Sequence, residues 1–405
     1  MMILKPFFQR LTDATPFVLA LLAAFAAASI LLLALNAPPL TAVSAMADGA
    51  FGTMNATAET LVKATPILFV AIGICIAFRG GVTNIGGEGQ MIAGAVAGIT
   101  VVLAIPQASG FVIIVTALVV GFAAGAFYGG IAGFLKAYFN VNEILSTIML
   151  NQVAVQLMNY LLNGPLLDPA EAGANHIPKT ARIVEWAELP RLSIPLPEGF
   201  LADFFGTAEL FARTRLHWGL IIAVVLAVVM YFLLWRTTIG YRIRAVGQNE
   251  RAARFAGMNI KQNVMLSMML AGGLAGLGGV VQVLGLQYRL QTDGSATGFT
   301  ANAGFNGIVA ALFGGLNPIG AIPASIFFGG LLVGAQKIQR ELGVPAALIT
   351  AINGLIVMFV VSAQWFARQR VKQRAVSTSA ALEISPGQSR RTEPHADTLP
   401  VETQP

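Results

Sequence analysis

The chain carries a succession of uncharged apolar runs, most of them near the length an α-helix needs to cross the hydrocarbon core of a bilayer. A helix rises about 1.5 Å per residue, so roughly 20 residues cover a core about 30 Å thick. Runs fall at 16–35, 61–78, 91–105, 111–135, 144–162, 218–235, 264–286, 307–316, 319–335 and 345–366. Charged residues make up 11% of the chain, against roughly a quarter in soluble domains, so a string of soluble domains is excluded. The sequence predicts an all-α polytopic membrane protein with about ten transmembrane segments and a half-helix or re-entrant element. The lone cysteine, Cys75, lies inside an apolar run, which excludes an intrachain disulfide scaffold.

Sidedness follows from the basic residues. With the N-terminus inside, 16 of the 25 Lys and Arg fall in the cytoplasmic connectors, the N-terminus and the tail. The net charge of +6 therefore reads as membrane orientation, with no nucleic-acid partner. The expected organisation is a cytoplasmic N-terminus at 1–15, a membrane domain at 16–366 and a basic, then disordered, cytoplasmic tail at 367–405. Within the membrane domain, 163–217 forms an external loop whose six prolines forbid a span, and 236–263 forms a cytoplasmic coupling region. Lys337 and Arg340, in a short outer connector, depart from the charge rule. Ser44-Ala-Met-Ala47 resembles a signal-peptide cleavage site, but the run at 16–35 is longer than the roughly 7 to 15 apolar residues of such a signal, so a retained first helix is expected.

Two polar stretches interrupt the apolar pattern. The first, 78–90, contains five glycines and Asn84, Glu88 and Gln90, so the chain can turn or unwind between two spans. Irregular backbone at membrane depth survives only where protein or a water-filled cavity covers it. The second places Glu143, Thr147 and Asn151 four residues apart on one face of the helix at 144–162. Such a stripe suits either a polar pathway or hydrogen bonds between helices.

A third stretch, 236–261, is cytoplasmic. Asn249 is a good N-cap, Glu250 suits a helix N-terminus and Gly257 a C-terminal stop, giving a helix of about seven residues, roughly 10 Å long. Small Ala252 and Ala253 beside Arg251 and Arg254 suit docking into a partner's groove. A fourth stretch, 304–320, yields an apolar run of about ten residues ended by Asn317-Pro318, half the length of a span, with Asn306 near its start. Glycines at 121, 125, 129 and 133, and again at 272 and 276, give smooth faces for close helix packing.

Enzymatic chemistry has no visible site. The phosphate-loop motif G-x-x-x-x-G-K-[ST] is absent, the three histidines lack metal-ligand spacing, and no cofactor is implied. Acids occur only at the edges of spans, which disfavours an ion-coupled secondary transporter.

In this order and spacing the four stretches resemble the permease subunits of bacterial ABC importers, in the family that includes branched-chain amino acid and simple-sugar permeases. Thr83-Asn-Ile-Gly-Gly-Glu-Gly-Gln90, Asn142-Glu-Ile-Leu-Ser-Thr-Ile-Met-Leu-Asn151 and Asn163-Gly-Pro-Leu-Leu-Asp168 look most like the nucleoside-type, guanosine-transporting members. The resemblance implies a type II-like importer architecture in the bacterial inner membrane. It also implies cytoplasmic ABC ATPase subunits, a second permease subunit and an external substrate-binding lipoprotein or periplasmic protein as partners. Under that resemblance Gly247, Asn249, Arg251, Ala252, Ala253, Arg254 and Gly257 belong to the ATPase-coupling element. Asn84, Glu88, Gln90, Glu143, Thr147, Asn151 and Asn306 are then the candidate substrate-pathway residues. Sugar or branched-chain amino acid uptake is the alternative.

Overall fold

A computed structural model of the chain describes residues 22–33 except 24, 37–171, 178–195, 209–345 except 212, and residues 348, 351–352, 354–355, 358–359 and 362. The runs expected at 16–35 and 345–366 lie in part outside the described residues, and the tail at 367–405 lies wholly outside them.

Twelve helices are described here in chain order. They are α1 (Pro39–Phe51), α2 (Met54–Arg79), α3 (Gly87–Ala104), α4 (Gly110–Phe139), α5 (Glu143–Leu162), α6 (Gly219–Arg236), α7 (Thr238–Gln248), α8 (Glu250–Phe255), α9 (Ile260–Gln282), α10 (Ala296–Thr300), α11 (Ala303–Phe313) and α12 (Pro318–Leu342). Side-chain caps explain several starts. Thr53 accepts the Ala56 N–H before α2, Asn142 accepts the Ile144 and Leu145 N–H groups before α5, and Thr237 accepts the Gly240 N–H before α7. Among the described residues, six helices are both long and apolar enough to cross a membrane: α2, α3, α4, α6, α9 with the π turn that extends it to Gln287, and α12. α5 has the length of a span, about 30 Å, without the apolarity.

α2 and α9 form the centre of the bundle, and their residues are buried on nearly all sides. α9 lies against α4 across facing glycines. A methyl group on Gly276 would stand 2.5 Å from the Gly121 carbonyl oxygen and 3.0 Å from the Gly125 Cα, so the two backbones touch where the sequence anticipates a smooth face.

Three features depart from the sequence reading, the first being that Lys337 and Arg340, expected in an outer connector, lie within α12, because the helix runs on past its apolar residues to Leu342. The stretch before 61 is a helix, α1, seated on α12 and tied to it by an Asp48–Lys337 ion pair; it contains Ser44 to Ala47. Its short apolar content and Asp48 conceal it from a search for spans. The coupling region is two helices, α7 and α8, where one was expected. Apart from two 3-10 turns and a two-residue β pairing, Ile194–Pro195 with Glu209–Leu210, the described part of the 163–217 segment is extended or turn-like, as its prolines require. It caps one end of the bundle, pairing its backbone with the end of α9: Thr180 with Leu290, Ile183 with Tyr288 and Leu189 with Leu284.

Candidate functional site

The chain between α2 and α3 is the irregular element around which the polar residues gather. Gly81 takes φ +76° and passes so close to Gly247 that a side chain on it would stand 2.9 Å from the Gly247 Cα. From there the backbone runs unwound to α3. Asn151 of α5 clamps it, its Oδ1 accepting the Gly89 N–H at 2.8 Å and its Nδ2 donating to the Ile85 carbonyl at 3.0 Å. Asn151 stands nine residues beyond the Asn142 cap, about 13 Å along α5. The unwound segment therefore reaches the middle of a span-length helix and is covered there by protein.

Asn84 and Gln90 close the inside of this turn. Asn84 Nδ2 donates to Gln90 Oε1 at 3.0 Å, Gln90 Nε2 donates to Asn84 Oδ1 at 3.1 Å, and the same oxygen accepts the Gly86 N–H at 2.8 Å. Thr147 Oγ1 donates to the Glu143 carbonyl at 2.6 Å and faces the Ile85 N–H at 3.4 Å. All four of these side chains are buried, and their hydrogen-bonding capacity is spent on the backbone and on one another.

Glu88 is the one carboxyl within this network, buried in the first turn of α3. Its Oε1 accepts the N–H groups of Gly304 at 2.9 Å and Phe305 at 3.3 Å, and the Thr300 hydroxyl donates to the carboxyl. Oε2 has no partner. Glu88 thus sits at the N-termini of two helices, its own and α11, where helix dipoles favour negative charge. α11 has 11 residues, about 16 Å, too short to cross a bilayer core alone. Its cap residue, Asn302, supplies no side-chain hydrogen bond, and the Glu88 carboxylate fills that role from another helix.

Asn306 stands apart from this knot, and Glu143 borders it. Glu143 forms a 3.0 Å ion pair with Lys136 at the start of α5, and its carboxyl also accepts a backbone hydrogen bond from Thr83 of the unwound segment. Asn306 is half-buried on α11, and its side chain has no hydrogen-bond partner among the described residues.

In the coupling region Asn249 Oδ1 accepts the Ala252 N–H at 3.0 Å, and Gly257 ends α8 with φ +76°. Arg251, Ala252 and Arg254 are exposed, Ala253 packs inward, and Arg254 pairs with Glu250. Gly247, the penultimate residue of α7, lies against the Arg79 carbonyl and the Gly81 amide, so the coupling region rests directly on the root of the unwound segment.

Sequence reasoning did not single out the residues that fasten this joint. Arg79 Nε donates to the Leu316 carbonyl at 3.1 Å and Nη2 to that of Gly315 at 3.2 Å, beyond the far end of α11. Its guanidinium lies 5.4 Å from the Trp235 ring centre, and Arg244 of α7 lies 5.7 Å from it. Phe255, 94% exposed on α8, was also missed, although an aromatic residue beside a solvated arginine pair was a readable signal.

Known proteins are similar to this chain over most of its length. The chain is 34% identical to the guanosine ABC transporter permease protein NupP of Bacillus subtilis, over 87% of this chain and 94% of that protein. It is 34% identical to the glucose ABC transporter permease protein TsgB13 of Haloferax volcanii, over 87% of this chain and 88% of that one. It is 28% identical to the nucleoside ABC transporter permease protein NupB of Lactococcus lactis, over 90% and 95% respectively. No solved structure gives a significant match. The profile of one family covers residues 56–361, from the first turn of α2 past the end of α12 and across every polar element described above. The chain belongs to the family of branched-chain amino acid transport system permease components.

Proposed function

We propose that the chain forms the transmembrane pathway of an ATP-driven importer and that its solute is a nucleoside. The observation that carries this reading is the uncharged amide and hydroxyl network around the unwound segment, whose one carboxyl is engaged in capping α11. A bundle that places amides and hydroxyls, and no free charge, at membrane depth suits an uncharged solute rich in hydrogen-bonding groups, which needs no fixed counter-ion. Relatives named for guanosine and nucleoside transport support the choice. Sugar uptake is a second reading, favoured by the equally similar glucose permease relative.

Ten membrane crossings, with α11 as a half-helix or re-entrant element, fit the length of the chain. The 163–217 segment faces outward, the 236–263 region faces the cytoplasm, and the chain lies in a bacterial inner membrane. Cytoplasmic ABC ATPases dock on α7 and α8 and hydrolyse ATP in a separate chain. A second permease subunit and an external solute-binding protein complete the assembly. Reconstitution with these partners in vesicles tests the reading: labelled guanosine accumulates only with ATP. Uptake that proceeds with an ATPase-dead partner, or accumulation of glucose in place of guanosine, overturns it.

A further inference from the structure

α5 has one buried face and one exposed face. The inward face carries Thr147, Asn151, Ala154, Val155 and Met158, all buried. The exposed face carries Gln152, Gln156 and Tyr160, with Tyr160 at 70%, among the exposed apolar residues Leu145, Met149, Val153 and Leu157. These three follow one another at intervals of four, so they line one side of the helix. None of their side chains hydrogen-bonds to another described residue.

That exposure conflicts with a lipid-facing position. Gln152 stands ten residues beyond the Asn142 cap, about 15 Å along a helix about 30 Å long. A side-chain amide at that depth loses its hydrogen bonds if it meets hydrocarbon, and two in succession double the penalty. Unpaired polar groups at membrane depth belong against protein or a water-filled cavity. The neighbourhood agrees. Asn159, on the same side of α5, accepts the Thr292 hydroxyl at 2.7 Å and donates to the Gly294 carbonyl at 3.4 Å. The polar segment leading to α10 therefore borders the stripe, and beyond it come exposed Thr297, Asn302 and Phe305.

We infer that Gln152, Gln156 and Tyr160 are the solute-contacting and specificity-determining residues of this chain, facing a water-filled pathway that another subunit closes on its far side. This rests on the nucleoside reading. The buried knot of Asn84, Gln90, Thr147 and Asn151 then positions α5 and does not touch the solute. Each glutamine offers both an amide donor and a carbonyl acceptor, which match the donors and acceptors on a nucleobase edge, and the Tyr160 ring offers a surface for stacking. The stripe carries no charge, in keeping with an uncharged solute.

Two measurements on the full transporter test the inference. Gln152→Cys and Gln156→Cys are reacted in membranes with a charged, water-soluble maleimide; the native Cys75 is fully buried and serves as a silent background. Both positions label, and guanosine slows the labelling. Reaction only with a lipophilic maleimide means that the face meets lipid, and reaction with neither reagent means a dry subunit contact; either overturns the inference. In parallel, Gln152→Leu and Gln156→Leu raise the guanosine KM about tenfold with kcat little changed, Gln156→Asn recovers part of that loss, and Val153→Leu has no effect. Unaltered KM in both leucine variants overturns the assignment. Wild-type protein that accumulates glucose and not guanosine overturns the nucleoside reading separately, because the labelling result stands without it.

Discussion

Glu88 and Gly304 are 216 residues apart in sequence, yet the Gly304 N–H donates to Glu88 Oε1 at 2.9 Å, so a side chain of one helix caps another. Replacing Glu88 with Gln keeps an acceptor but removes the charge at the α11 N-terminus, an expected loss of about 0.5–1 kcal/mol. Glu88→Ala leaves the buried Gly304 N–H and the part-buried Phe305 N–H without their acceptor and is expected to cost about 2–3 kcal/mol. Thermal unfolding of the purified protein should rank wild type above Glu88→Gln and Glu88→Ala lowest. Equal melting temperatures would show that the carboxyl does not cap the helix.

This contact marks the limit of what the sequence discloses. The glycine-rich break, the short α11 and the Asn249-to-Gly257 helix are all legible, because each depends on residues close together in the chain: glycines that free the backbone, a run too short to span, a cap and a stop. Which helix lies beside the break is set by packing across the bundle. Neither Asn151 reaching Ile85 nor Glu88 reaching α11 can be read from spacing. α1 and α7 escape for another reason. Neither is a long apolar run, and each is held by its neighbours, α1 by α12 and α7 by Gly81 and Trp235.

Asn151→Leu is close to isosteric but removes the bonds to the unwound segment and to the first turn of α3, leaving the buried Gly89 N–H and the part-buried Ile85 carbonyl unpaired. The expected cost is about 2–4 kcal/mol. If the knot positions α5, transport falls through loss of folded protein, with the guanosine KM of the surviving fraction unchanged. Uptake kinetics normalised to folded protein check this, and a raised KM with normal stability would place Asn151 in contact with the solute.

Two glycine substitutions should differ in kind. At Gly276 an added methyl meets the α4 backbone at Gly121 and Gly125, and neither helix can yield without disturbing the bundle centre. Gly276→Ala is expected to destabilise by about 1–3 kcal/mol or more. At Gly257 nothing lies within 4 Å of the added atom, and only the left-handed φ of +76° opposes it. Gly257→Ala is expected to cost about 1 kcal/mol, confined to the end of α8. Melting curves of the two variants separate the effects.

His217 is buried, lines the same cavity as Lys63 and Gln282, and its Nδ1 accepts the Gly219 N–H at 3.1 Å. Burial pushes its pKa down from 6.5 to about 4. The unfolded chain therefore takes up this proton at higher pH than the folded protein. Its contribution is intact above pH 6.5 and is lost as the pH falls from there to about 4, a total of about 3 kcal/mol. Against a His217→Gln variant, wild type should show the steeper fall in melting temperature between pH 7 and 4.5. Parallel curves would mean that the imidazole is hydrated or already charged.

Phe255 is the last residue of α8 and is 94% exposed, beside the exposed Arg251 and Arg254. A phenyl ring left in water gains nothing for the chain that carries it, whereas at a subunit contact a buried aromatic residue commonly supplies much of the binding energy. Ala253 anchors the helix from the opposite side, so the ring can be removed without disturbing the fold. Phe255→Ala should leave the melting temperature of the isolated chain within about 0.5 kcal/mol of wild type in stability terms. It should weaken binding of the ATPase subunit by about 2 kcal/mol, or roughly thirtyfold in Kd, measured by titration of the purified proteins. Gly247→Leu forms the complement. Its side chain would strike the Arg79 carbonyl and the Gly81 amide, so the ATPase should still bind and hydrolyse ATP while uptake falls, because the joint between coupling region and unwound segment is pried apart. Binding lost in Gly247→Leu and retained in Phe255→Ala would reverse both assignments.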